Sequence, residues 1–180
     1  MKTLLAIVGI VVVGVLACAG FYIGAYNSGV QYENQLEAVW EDNKNILGQY
    51  SLKVKEAASV SDAYAEDLQT VVAEAMSGRY GDEGSQAVFQ WIQEQNPQVD
   101  SAVYTKIQQI IEAGRNEFQN AQTRLVDIKR AYKDELGMFW SGFWLNMAGF
   151  PKVDLDKYTV ITSQHAADAF ESGIDNGVDI

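Results

Sequence analysis

The feature that most constrains this chain is an apolar run from Thr3 to Ala25, which contains no charged residue and is rich in Val, Ile and Leu. At a rise of 1.5 Å per residue, a helix over this run is about 34 Å long, slightly more than the roughly 30 Å hydrocarbon core of a bilayer. Tyr22 and Tyr26 lie one turn apart at its outer end, where aromatic rings favour the headgroup region. Residues 1–25 are therefore predicted to form a transmembrane anchor, with the membrane as the partner of residues 3–25.

A second interpretation of the same run is a lipoprotein signal that is cut before Cys18. Lys2 gives it a basic start, and Val15-Leu16-Ala17 precedes the cysteine as an approximate lipobox. That motif usually has leucine three residues before the cysteine and a residue smaller than leucine two before it. The apolar run also continues beyond the cysteine, which a cleaved signal does not need. The span is favoured, and lipidation of Cys18 is the alternative.

Charges on the two sides of the run predict its orientation. Lys2 and the amino terminus are the positive charges before it, whereas the first charges after it are acidic, beginning with Glu33 and Glu37. Because positively charged flanks stay on the cytoplasmic side, we expect a single pass with a cytoplasmic N-terminus. The rest of the chain is then outside the cytoplasm, in the periplasm or the extracellular space. The lipoprotein interpretation gives the same side.

Gly20 and Gly24 form a G-x-x-x-G pattern within the run. At this spacing two membrane helices can approach closely and pair. These glycines are therefore candidate helix-pairing residues, which would make the protein a homo-oligomer. Small residues are also common in membrane helices that do not pair, and the unpaired interpretation is favoured.

Charge and composition exclude some classes of function and favour one fold class. The net charge of the 180 residues is −11, and Lys2 is the one charged side chain among residues 1–25, so residues 26–180 carry −12. An acidic surface lacks the basic footprint of nucleic-acid binding, so no nucleic acid partner is expected. A single cysteine excludes an internal disulfide. With only two prolines and many helix-forming residues, the chain is predicted to be all-α.

Four stretches after the anchor have apolar residues at the spacing of amphipathic helices. They cover residues 28–58, 62–77, 85–95 and 98–136. Ser61 and Asp62 suit the N-terminal cap of the second stretch. Residues 78–84 combine three glycines with charges and are predicted to be a loop. A phosphate-binding loop is disfavoured because no Gly-Lys-Ser/Thr sequence ends it.

The stretch from residue 98 to 136 has the most regular pattern. Its apolar positions recur every three or four residues, as in a helix that buries one stripe, and they are Val99, Val103, Ile107, Ile110, Gly114, Phe118, Ala121, Leu125, Ile128, Tyr132 and Leu136. Such a helix packs against other long helices. We therefore expect an elongated, coiled-coil-like antiparallel helical bundle with three to four long limbs over residues 26–158. An acidic, weakly ordered tail over residues 159–180 is predicted to follow.

Short motifs in the chain resemble the LemA family of bacterial membrane-anchored proteins. The anchor runs directly into Tyr26-Asn27, an acidic helix follows with Ala38-Val39-Trp40, and Gly149-Phe150 closes a short hydrophobic segment. A late Arg-x-x-aromatic-Asn-x-Ala pattern is similar to Arg115–Ala121, with Gln119 where the family usually has Asn. The family's basic stretch with a Leu-Ile-Pro-Asn-Leu-Val core is absent, so the resemblance is to a divergent member. It implies a membrane-tethered helical bundle and no catalytic residues.

Residues able to do chemistry do not form a recognisable constellation. His165 is the one histidine in the sequence, and a two-residue offset on a helix turns Ser163 away from it. Asp154 and Asp156 alternate, but the glycine and terminal glutamate of a calcium loop are missing. No catalytic, cofactor-binding or metal-binding residue is assigned, and no cofactor is expected.

The segment Met138–Phe150 has more aromatic residues than a helical bundle needs, and it has no charge. The candidate residues for contact with a partner or a membrane are Phe139, Trp140, Phe143, Trp144 and Phe150. A buried cap at the end of the bundle is the favoured interpretation, and an exposed apolar patch is the alternative. If the chain reverses at Gly78–Gly84, this segment lies near the bilayer, and otherwise it lies far from it.

Together these features predict a non-catalytic interaction or scaffold module, tethered to a membrane and held outside the cytoplasm, with an unidentified protein partner. One alternative is a bilayer-interacting protein that uses residues 138–150. A hydrolase that depends on carboxylates is a further, disfavoured alternative.

Overall fold

The computed structural model describes residues 1–78 and 83–160. Within these residues the fold is all-helical and contains no strand, as composition predicted. The helices are α1 (Lys2–Ala58), α2 (Ala65–Met76), α3 (Gly84–Gln95), α4 (Ala102–Gly137) and α5 (Phe139–Met147), with short 3-10 turns at Asp62–Tyr64 and Leu155–Lys157. Most of the predicted tail, including Ser163, His165 and Asp168, lies outside the described residues.

Helix α1 joins two elements that the sequence pattern separates, the anchor and the amphipathic stretch 28–58. No proline interrupts residues 26–30, so the backbone hydrogen bonds continue from the apolar run into the polar one. The helix ends in a Schellman motif. Ser59 has a φ of 52°, and the amides of Ser59 and Val60 donate to the carbonyls of Glu56 and Lys55.

The chain divides into two compact units. Among the described residues, unit 1 consists of Met1–Ala38 and Leu125–Thr159, and unit 2 consists of Val39–Arg124 and Val160. The division therefore passes through both α1 and α4, and each unit takes part of each helix.

Unit 2 has the larger described core. Its buried side chains include Ile46, Tyr50 and Val54 from α1, Leu68, Val72 and Met76 from α2, Val88 and Ile92 from α3, and Ile107, Ile111 and Phe118 from α4. Gly114 allows α4 to lie close to α1, since a Cβ at residue 114 would be 2.7 Å from the Tyr50 ring. Helices α2 and α3 pack on each other.

Polar groups at the helix ends explain where the elements of unit 2 begin and meet. The Ser61 hydroxyl accepts from the Ala63 amide and caps the 3-10 turn Asp62–Tyr64, whereas α2 begins at Ala65 without a side-chain cap. Helix α4 begins at Ala102 rather than at residue 98, because the Asp100 carboxylate accepts from the Ala102 amide at 2.8 Å. Arg115 donates to the carbonyl of Ala75 in the last turn of α2, at 3.0 Å, and so holds α2 against α4.

Candidate functional site

Helix α5 is folded tightly onto the end of α4. One residue, Met138, separates the two helices, and its extended backbone turns the chain. Gly142 lies so close to the Leu136 carbonyl that a Cβ would overlap it. The Ser141 hydroxyl donates to the Glu135 carbonyl at 2.9 Å. These contacts fix α5 relative to α4 within unit 1.

A second Schellman motif ends α5 and places Phe150. Gly149 has a φ of 82°, and the amides of Gly149 and Phe150 donate to the carbonyls of Asn146 and Leu145, both at 3.0 Å. The Phe150 ring then packs against Gly29 of α1, where a Cβ would meet three ring carbons at 2.7 Å. The Gly-Phe pair of the sequence is therefore a helix stop followed by a ring that packs against α1.

The aromatic side chains of α5 surround Phe21 of α1. The centroid of the Phe21 ring lies 5.3 Å from that of Trp140 and 6.0 Å from that of Trp144. Trp144 also contacts Trp140 and Phe143, at 5.8 and 5.2 Å. We call Phe21, Trp140, Phe143 and Trp144 the aromatic cluster. It brings α5 against the last turns of the apolar run.

The five candidate contact residues of α5 and its C-terminal end divide into a packed set and an exposed set. Trp144 and Phe150 are 8% and 2% exposed, whereas Phe139, Trp140 and Phe143 are 91%, 55% and 52% exposed. The predicted buried cap therefore applies only to the packed set, and the alternative of an exposed patch applies only to the exposed set. The two sets exist because α5 has large apolar side chains on both sides, while α1 and α4 cover only one side.

Lys152, which follows Phe150, contacts aromatic rings of α1 and of the chain after α5. Its ammonium group lies 4.4 Å from the ring centroid of Tyr26 and 4.3 Å from that of Phe150, so it is held by two aromatic faces. The two rings also contact each other edge to face, at 5.7 Å. Tyr26 and Phe150 belong to the two motifs that begin and end the family resemblance, and here they are neighbours.

Two glutamates one turn apart on α1 bind the chain that follows α5. A single carboxylate oxygen of Glu33 accepts from the Tyr132 hydroxyl at 3.0 Å and from the amides of Lys152 and Val153 at 2.6 and 3.3 Å. Glu37 accepts from the Tyr158 hydroxyl at 2.6 Å. We call these contacts of Glu33 and Glu37 the glutamate tethers.

The tethers also change the acidity of the tyrosines. Burial and the hydrogen bond to Glu37 raise the pKa of Tyr158 to about 12. Burial and the nearby Glu33 carboxylate raise the pKa of Tyr132 further above its ordinary value. In unit 2, the hydrogen bond that Tyr50 donates to Glu117 raises the pKa of Tyr50. All three tyrosines are therefore held as neutral donors to carboxylates.

The remaining candidate residues lie apart from these contacts. Cys18 is exposed, and a Cβ at Gly20 or Gly24 would meet nothing within 4 Å. Among residues 1–78 and 83–160, no group of three or more His, Cys, Asp and Glu side chains is placed to hold a metal ion. Two shallow cavities of about 160 and 140 Å³ lie on the surface, one along α1 beside Tyr32 and one beside Leu52.

Sequence reasoning missed Glu33, Glu37 and Tyr158 as a connected set. The glutamates look like ordinary solvated charges on a helix, and the residues that they bind come 99 to 121 positions later. One signal was present: Tyr132 carries a hydroxyl within an otherwise apolar stripe, and a buried tyrosine needs an acceptor.

No protein-family profile, curated protein or solved structure matches this chain.

Proposed function

We propose that this protein is a membrane-tethered, non-catalytic interaction module of the LemA type, which presents a helical bundle outside the cytoplasm. Helix α1 is long and apolar enough to cross a membrane near the N-terminus. Its apolar part has no side-chain contacts to cover it before residue 21, and lipid would cover it. In unit 1, Phe21 pairs with Trp140 and Tyr32 with Tyr132, an order that supports antiparallel packing.

The observation that carries the proposal is the continuity of α1. The helix passes without a break from the apolar run into residues that pack in unit 1, where Gly29 and Leu36 are buried. A flexible linker would let the domain move freely above the membrane, whereas a continuous helix holds it at one height. That arrangement suits a module that presents a surface to a partner.

Intact mass spectrometry of the purified protein separates the two kinds of anchor. A transmembrane anchor predicts the mass of the whole chain, 19.9 kDa, and resistance to alkaline extraction from membranes. A chain that begins at Cys18 and carries lipid would replace the span by a lipid anchor. Recovery of the whole chain in the soluble fraction would contradict membrane tethering.

Cysteine labelling in intact bacterial cells tests the orientation. On a Cys18→Ala background, Asp127→Cys places a thiol at an exposed position of unit 1, and Thr3→Cys is the control at the start of the span, which keeps the positive charge of Lys2. A membrane-impermeant maleimide is expected to label the first without permeabilisation and the second only after it. The reverse pattern would contradict a domain outside the cytoplasm.

Photo-cross-linking tests the interaction role. Leu52 and Tyr64 are exposed side chains of unit 2, and a photoreactive residue at either should capture one defined protein in cells. The same residue at Asp127 is the control. Identical adducts from all three positions, or none from any, would argue against a specific partner of unit 2.

A further inference from the structure

We propose that α5 lies in the interfacial layer of the bilayer, beside the point where α1 leaves it, and is a second lipid contact of the protein. This inference rests on the proposed membrane span. The occupant of the exposed face of α5 is thus the lipid of the leaflet that α1 crosses last.

The first argument is the composition of the exposed face. Phe139, Trp140, Phe143 and Met147 are exposed on one side of α5, while Gly142 and Leu145 are buried on the other. The segment Met138–Phe150 has no charge on either side. Asn146 is the polar side chain on the exposed side, and its amide donates to the Gly142 carbonyl of the same helix at 2.7 Å. A helix face with so few polar groups belongs in a protein core or in lipid, and no described residue covers this face.

The second argument is depth. Phe21, which contacts Trp140 and Trp144, lies four residues before the end of the apolar run at Ala25. At helical rise this is about 6 Å below the end of the run, within the 5–10 Å to which interfacial helices enter the boundary between headgroups and acyl chains. Tryptophan is also the residue most typical of that boundary, together with tyrosine.

The third argument is the order of chemical groups along α1 in unit 1. The aromatic cluster lies at the level of Phe21, and the Lys152 ammonium lies above it at the level of Tyr26. Glu33 comes about two turns later. The order along α1 is thus apolar rings, a cation between rings, and acids. This order is expected for a chain that passes from the edge of the hydrocarbon core through the phosphate layer into water.

The fourth argument is continuity with the surface that lipid already covers. The side chains of α1 below Phe21 are exposed on all sides, and Phe21 itself remains half exposed beside α5. The exposed rings of α5 therefore extend the apolar surface of the span. A second copy of the chain could cover one side of α5, whereas lipid would cover the exposed rings of α5 together with the apolar surface of the span. Lipid is therefore the occupant that fits.

Depth-dependent quenching tests the proposal in the full chain. On a Cys18→Ala background, Phe139→Cys carries an environment-sensitive fluorophore, and Asp127→Cys is the control at an exposed position of α4, about 15 Å before its end. The protein is placed in phosphatidylcholine vesicles that contain nitroxide lipids, labelled either near the headgroup or near the chain end. Phe139 is already exposed, so its replacement leaves the packed side of α5 intact.

We expect the probe at residue 139 to lose most of its intensity to nitroxides near the headgroup and less to those near the chain end. The probe at residue 127 should keep its intensity with both. An unquenched probe at residue 139 in a chain that resists alkaline extraction would overturn this inference and leave the proposed span intact. Disulfide-linked dimers through residue 139 would also overturn it, in favour of a second copy. Release of the chain from the vesicles would contradict the span itself.

Discussion

At the scale of single residues, Gly29 of α1 and Phe150, which follows α5, pack closely against each other. The ring occupies the space in which any other residue would have its Cβ. Gly48, on the same helix, has nothing within 4 Å of the position of a Cβ. The two glycines therefore have different reasons to be present, and the same substitution distinguishes them.

Gly29→Ala is expected to displace the Phe150 ring and to lower the free energy of unfolding by about 1–3 kcal/mol, as overpacking does elsewhere. Gly48→Ala should raise it by up to about 1 kcal/mol, because alanine is the better helix former. Chemical denaturation of both full-length variants in the same detergent, followed by circular dichroism, checks both values. Equal changes for the two variants would contradict the packing of Phe150 on Gly29.

Tyr158 predicts a loss of stability at alkaline pH. Its ordinary pKa is 10.0, and burial and Glu37 raise it to about 12 in the folded protein. Between these values the unfolded tyrosine loses its proton while the folded one keeps it, so stability falls as pH rises. Tyr158→Phe should lower stability at neutral pH, through loss of the bond to Glu37, and reduce the further loss between pH 10 and 12. Denaturation midpoints across this range measure the difference, and identical alkaline slopes would refute it.

At the scale of elements, periodicity was a good guide to α2, α3 and α4, because each buries one face and the apolar spacing records it. The sequence pattern predicted the anchor and residues 28–58 as separate helices, because hydropathy changes between them, although both belong to the one helix α1. The split of α5 into a packed and an exposed face could not be predicted, because both faces are apolar. The glutamate tethers left no local pattern, since their partners are distant in sequence.

The tethers themselves predict the protection of the chain after α5. Glu33→Ala removes the acceptor of two backbone amides and of the buried Tyr132 hydroxyl, so the segment from residue 151 to 158 should detach. Trypsin should then cut after Lys152 much faster than in the parent protein. Asn34→Ala, at an exposed neighbouring position, is the control. Unchanged cleavage in Glu33→Ala would show that other contacts hold the segment.

At the scale of the whole molecule, the proposed membrane attachment and the packing of unit 1 depend on different parts of α1. Side chains near Val12 are exposed on every side, whereas Leu36 is fully buried in unit 1. One continuous helix thus has an exposed apolar part, which is the proposed membrane span, and a part that packs in the core of unit 1. Substitutions in these two parts should have opposite consequences.

Val8→Asp combined with Val12→Asp adds roughly 5–7 kcal/mol to the apparent cost of membrane insertion and should release the chain from membranes. The helicity of the domain should persist, because neither valine packs against it. Leu36→Asp should leave the chain attached to membranes but unfold unit 1, because it places an unpaired charge in the core of that unit. Membrane fractionation together with limited proteolysis checks both, with the Val8→Leu and Val12→Leu pair as control. Loss of the fold in both variants would show that the domain depends on its anchor.

The division of the chain has a consequence for the order in which the protein forms during translation. Unit 2 is built mainly from one uninterrupted stretch, Val39–Arg124, whereas the two parts of unit 1 are separated by that whole stretch. The ribosome therefore delivers everything that the core of unit 2 needs before it has made Tyr132, Phe150 or Tyr158. Until those residues have been synthesised, the contacts that Glu33, Glu37 and Gly29 make in unit 1 cannot form. The part of the protein that emerges first is consequently the part that is completed last.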